Sequence, residues 1–193
     1  PKDANRAFAN IGPANSFFTV AFEDNFPIVG DGDYNDFVAA YGITQVRDSQ
    51  NRIVSLTGFV EAVSEGSSSD HEFGILIKHQ GLKAKLTVTN YDHNFSQLSE
   101  RTEDNNNISD IVLFESTDQA FVTFNQGGQE YAFGQYRTFT LDFETPALES
   151  QLDNIPFDPY LFVKETGYDV HLVGKAPLPE SNNPSATIDW QFL

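Results

Sequence analysis

One short stretch holds most of the residues that could do chemistry: Phe22-Glu23-Asp24-Asn25-Phe26-Pro27-Ile28-Val29-Gly30-Asp31-Gly32-Asp33-Tyr34-Asn35-Asp36-Phe37. It carries five carboxylates and two amides directly before an apolar run. Carboxylates this close repel one another unless a cation or raised pKa values relieve them. Calcium takes about six to eight oxygen ligands from such loops. Asp31, Asp33 and Asn35 occupy alternate positions, so a loop curling around one ion aims all three side-chain oxygens inward, as in the first half of an EF-hand loop. The trio cannot fill the shell, so Asp24, Asp36, Glu23, backbone carbonyls or water must complete it. The expected site is therefore Ca2+ held by Asp31, Asp33 and Asn35, then Asp24 and Asp36, with Glu23 also in reach. The ion would bridge this loop to a neighbouring one and order the start of the strand at Phe37. The competing reading is that these acids only solvate a loop and cap its turns.

Other chemistry finds less support. His71, His79, His93 and His171 form no His-Glu-x-x-His pattern, and a zinc site without cysteine would need His and carboxylates from separate strands. His71 reads as part of a polar loop and His171 as a strand residue, with exposed or hydrogen-bonded structural roles expected there. There is no Gly-x-Ser-x-Gly elbow, no phosphate-binding loop and no cysteine nucleophile. A glycosidase needs only two carboxylates, and 28 acidic residues guarantee candidate pairs without showing which face a cleft. The chain is expected not to be an enzyme. Trp190, Tyr34, Tyr91 and Tyr131 could stack on sugars, which makes a carbohydrate-binding domain the alternative function and a glycan-active hydrolase a weaker third.

The elements that must position the acidic loop are strands. At 193 residues the chain fits one domain over 1–193, large enough to bury roughly 70% of its unfolded surface. Its 18 phenylalanines are the main core filler. A net charge of -17 repels nucleic acid and anionic membrane surfaces. No run of about 18 apolar residues exists, so no membrane insertion is expected. The start, Pro1 to Asn10, lacks the features of a signal peptide, so a secreted form would be cut from a longer protein. β-branched and aromatic runs between Gly, Asn, Asp, Ser and Pro clusters place strands at 17–22, 37–47, 53–63, 73–77, 84–89, 111–115, 121–125, 138–144, 160–163, 170–173 and 187–192. Asp48, Ser49, Gln50 and Asn51 suit a tight turn, making 37–47 and 53–63 a long hairpin. Residues 65–70 and 100–110 read as polar loops, and 146–152 as a short helical turn capped by Thr145. This defines an all-β chain with few or no helices, a β-sandwich with the jelly roll as one form of it.

Two stretches carry a family resemblance: Phe22-Glu23-Asp24-Asn25-Phe26-Pro27 and Gly30-Asp31-Gly32-Asp33-Tyr34-Asn35-Asp36-Phe37-Val38. Together they resemble the opening of the LruC domain family, with Gly32 in place of the usual aromatic. Phe73-Gly74-Ile75, Pro156-Phe157-Asp158-Pro159-Tyr160 and Val170-His171-Leu172-Val173-Gly174 with Pro177 extend the resemblance. It implies a bacterial cell-surface or secreted module with an adhesive or structural role. The partner would be an unidentified surface protein or glycan, and the resemblance transfers no catalytic residue.

Overall fold

The computed structural model describes residues 7–10, 17–26, 30–79, 81–105, 110–122, 132, 134–154 and 156–182. Among them the chain forms β1 (Ala7–Asn10), β2 (Phe18–Phe22), β3 (Phe37–Arg47), β4 (Ile53–Ser64), β5 (His71–Leu76), β6 (Ala84–Tyr91), β7 (Gln97–Asn105), β8 (Asp110–Phe114), β9 (Tyr136–Ala147), β10 (Asp158–Val163) and β11 (Tyr168–His171). Single 3-10 turns occur at Thr117–Gln119 and Glu149–Gln151. The strand expected at 187–192, with Trp190, and Tyr131 lie outside the described residues.

Alternation of buried and half-buried positions along β3, β4 and β9 leaves each strand one apolar face, the pattern of an antiparallel sheet covered on one side. These strands sit in a large sheet ordered β1-β3-β4-β9-β6-β7, with β2 also on β3. A smaller sheet runs β11-β10-β5-β8. The pairings are antiparallel and the architecture is a β-sandwich. Phe22 and Phe37 from the large sheet meet Phe73 and Phe114 from the small one, with ring centroids 5.4 to 6.4 Å apart. Burying such rings contributes about 1.5–3 kcal/mol each relative to exposure.

The β3–β4 hairpin closes through Asp48. Its backbone carbonyl accepts the N–H of Asn51 at 3.0 Å, and Oδ1 accepts those of Gln50 and Arg52, each at 2.9 Å. Oδ2 receives Nε and Nη2 of Arg52 at 2.8 and 2.6 Å.

Three readings of the sequence change. Residues 100–105 are not loop but part of β7, which pairs with β6 along its length. The run Gln-Leu-Ser-Glu-Arg-Thr-Glu-Asp-Asn has no apolar periodicity because an edge strand holds its place by ladder hydrogen bonds, and charge there discourages pairing with other chains. Phe121 and Val122 lie outside any strand, and the rest of the expected 121–125 strand is outside the described residues. Pro146 falls inside β9, and the short turn begins after Leu148, so Thr145 is not its cap.

Each layer holds a buried cationic group, and the one in the large sheet ties the two layers together. Arg137 of β9 stands 4.4 Å from the Phe114 ring centroid, and its Nε donates to the carbonyl of Leu113 at 3.1 Å. Burial pulls the guanidinium down to about 10. In the small sheet, His171 lies between two buried carboxylates, Nδ1 at 3.0 Å from Asp158 Oδ2 and Nε2 at 2.9 Å from Asp169 Oδ2. Burial opposes its charge, but the bonds to Asp158 and Asp169 and their charges outweigh it and push His171 up to about 9.

Candidate metal centre

The acidic stretch is the connection between β2 and β3, whose pairing ends where Phe22 faces Phe37. Glu23 and Asp36 therefore stand side by side at its base. The Asp24 N–H donates to Asp36 Oδ2 at 2.8 Å and closes the neck. Beyond it the backbone turns through positive φ at Gly32 (76°) and Tyr34 (52°). The first conformation favours glycine. The second costs an L-residue roughly 1–2 kcal/mol and directs the Tyr34 N–H onto Glu23 Oε1 at 2.6 Å.

This path brings the carboxylates of Glu23, Asp31 and Asp33 together, with one oxygen of each within 4.8 Å of the others. Oxygens that share one calcium ion at about 2.4 Å are at most about 4.8 Å apart, a condition the three meet. Asp31 and Asp33 are exposed, leaving room for water to complete the shell. Glu23 Oε2 is buried with no hydrogen-bond partner. A Cβ at Gly30 would come within 2.1 Å of that oxygen, so glycine leaves the space beside it open. A buried carboxylate oxygen without a partner, on a residue grouped with two other carboxylates, offers oxygen donors of the kind a hard cation prefers.

The other three expected ligands are placed differently. Asn35 Nδ2 donates to Asp33 Oδ2 at 2.5 Å, so the amide touches the cluster through one of its members. Asp24 and Asp36 are buried beneath it in a separate hydrogen-bonded layer. Asp24 Oδ2 accepts Ser67 Oγ at 2.5 Å and lies 3.0 Å from His71 Nε2. His71 Nδ1 in turn lies 3.1 Å from Thr117 Oγ1. Burial opposes charge on Asp24, yet hydrogen bonds from Ser67 and His71 hold it below the usual carboxylate range. Burial, with the charges of Asp24 and Glu23, pushes Asp36 up to about 6. Glu65 is fully buried 4.0 Å from His71 Nδ1, its carboxyl oxygens without partners, and burial pushes it up to about 7. The Gly66 N–H bonds the carbonyl of Asn35 at 2.9 Å, bracing the acidic loop against residues 65–70.

His71 is thus not a loop residue but the buried first residue of β5. With Ser67, Thr117 and Glu65 it forms the support that the sequence reading missed. One signal for it existed: His71, Phe73 and Ile75 follow the period of two that marks the inward face of a strand.

The fold and this loop define a β-sandwich with an acidic, cation-ready connection at one end of its large sheet. The sequence matches, over residues 51–187, the family described as a domain of unknown function, DUF4842. The match covers more than half of the chain, and the chain belongs to this family. The acidic loop lies before the matched span. No curated protein matches the sequence. A crystal structure described as a "Putative lipoprotein from Bacteroides ovatus" superimposes with a TM-score of 0.62 at 13% identity. That alignment covers 90% of this chain and 57% of the other, so the chain spans little more than half the length of that protein. The likeness is one of fold. The enzymatically active domain of bacteriophage CBA120 tailspike protein 4 aligns at 8% identity over 75% of this chain and 18% of its own, with a TM-score of 0.29, too low to carry an argument. Among the described residues, no helix is long and apolar enough to cross a membrane.

Proposed function

We propose that this chain is a calcium-binding module of a bacterial surface or secreted protein, with an adhesive or structural role, in which calcium orders the loop at 23–36. The observation that carries the reading is the convergence of Glu23, Asp31 and Asp33, one carboxylate oxygen of each within 4.8 Å of the others, in a loop where Glu23 Oε2 is buried without a hydrogen-bond partner. The ion would supply positive charge where the loop has none and hold the two halves of the loop together. Asp24, tied to Ser67 and His71, and the bond from Gly66 to Asn35 would pass that order to the start of β5. An extracellular setting is supported by the resemblance of 22–38 to the LruC family, by the fold shared with the Bacteroides ovatus protein and by the strongly acidic composition, since millimolar calcium outside cells suits a site of modest affinity.

Scanning calorimetry of the chain in calcium and in chelator tests the proposal. A higher melting temperature in calcium, lost in the Asp31→Asn/Asp33→Asn variant, is the expected result. An identical melt in both buffers overturns it.

A further inference from the structure

The outward face of the large sheet carries two features that the acidic loop does not use. The register sets Thr44, Thr57, Thr140, Thr87 and Thr102 opposite one another across β3, β4, β9, β6 and β7. Residues opposite each other in antiparallel strands share a face. Here it is the face away from the core, because the chain neighbours Leu56, Leu141 and Leu86 are buried. Five adjacent strands thus present a line of hydroxyls and methyls spaced by about 4.8 Å. On the same face, Tyr91 stands opposite Tyr136 with the rings stacked at 4.5 Å and 3°. Phe95 lies 4.7 Å from Tyr136, Phe59 lies 5.3 Å from Tyr136, and Phe17 lies 5.6 Å from Phe59. The rings at the two ends, Phe17 and Phe95, are 62% and 65% exposed.

High strand propensity accounts for any single threonine. It does not account for a threonine row in register beside a continuous run of rings, a combination that offers stacking and hydrogen bonding together. Three kinds of partner can be compared. An apolar protein face would leave the hydroxyls only one another and the sheet as partners, a cost of roughly 1–3 kcal/mol for each one left unpaired. A polyanion would meet Glu61, Glu100, Asp104 and Asp142 on the same face, with Lys85 already opposite Asp142, and a net charge of -17. An uncharged sugar chain matches both features, since a pyranose has an apolar face for the rings and hydroxyls at its rim for the threonines.

We infer that this face binds a neutral polysaccharide, with sugar rings stacked along Phe17, Phe59, Tyr136 and Phe95 and sugar hydroxyls bonded to the row from Thr57 to Thr102. The site is separate from the metal cluster and does not depend on the calcium reading.

Affinity electrophoresis of the chain through gels containing mixed-linkage β-glucan, xylan or mannan tests this, with polygalacturonate as the charged control and each gel run in calcium and in chelator. Retardation by at least one neutral polysaccharide in both buffers is expected, with none by polygalacturonate. Thr87→Val/Thr140→Val keeps side-chain shape and suits a strand, so it should fold, yet weaken binding at least tenfold. Phe95→Ala in an exposed turn should do the same. No retardation by any neutral polysaccharide overturns the inference, as does undiminished binding by the valine variant. Binding lost in chelator while the fold persists would move recognition to the acidic loop and also overturn it.

Discussion

Two carboxylate clusters in this molecule meet the same electrostatic problem in different ways. In the small sheet, Asp158 and Asp169 are buried on either side of His171, at 3.0 and 2.9 Å, and the chain provides its own counter-charge. In the loop between β2 and β3, Glu23, Asp31 and Asp33 converge with no base among them, and backbone and amide groups satisfy only part of their oxygens. A buried acid pair with an internal imidazolium carries its own counter-charge when folding ends, although Asp158 Oδ1 is buried without a hydrogen-bond partner. A cluster without one is stable to the extent that solvent or an ion relieves it. The first cluster belongs to the fold, and the second to whatever the surroundings supply.

That contrast can be broken at several points. The largest effect is expected from His171→Ala, which leaves Asp158 and Asp169 buried without a counter-charge. Denaturant titration should show a loss of about 3–5 kcal/mol, and a loss below 1 kcal/mol would mean the pair is not charged as argued. The same cluster predicts a pH dependence. A histidine raised from its ordinary 6.5 to about 9 contributes stability that is complete below pH 6.5 and disappears as pH rises through 9. The total is about 3 kcal/mol, measurable as a falling urea midpoint over that window and absent in His171→Gln.

For the loop, removing calcium present at about a hundredfold over its dissociation constant should cost about 2.7 kcal/mol, or roughly 5–10 °C in melting temperature. His171→Gln should leave this calcium shift intact, and loss of the shift in that variant would show the two clusters to be coupled. The smallest effect is expected from Gly30→Ala. Its methyl would crowd Glu23 Oε2, so calorimetric titration should show calcium affinity several-fold weaker, with the melt in chelator nearly unchanged. An unaltered affinity would remove Glu23 from the site.

The sandwich class was legible in the sequence because strands with one face on a core leave a period of two, and β3, β4 and β9 keep it over most of their length. The turn at Asp48 was legible for a local reason, since its hydrogen bonds fall within four residues. β7 was not legible, because pairing with β6 rather than any apolar pattern makes it a strand. The ligand set was read in part. Alternate spacing in the loop pointed to Asp31 and Asp33, but could not tell that Asp24 turns inward onto Ser67 and His71, 43 and 47 positions away in the chain, with Asp36 held against its N–H.

The sequence by itself determined the density of negative charge between Phe22 and Phe37 and the turn chemistry that lets that segment curl. Charge and local conformational preference are properties of neighbouring residues. The tertiary structure alone decided which acids meet and which are buried with a histidine. It also decided that threonines from five separate strands form one row, because register between strands is set by packing over the whole sheet.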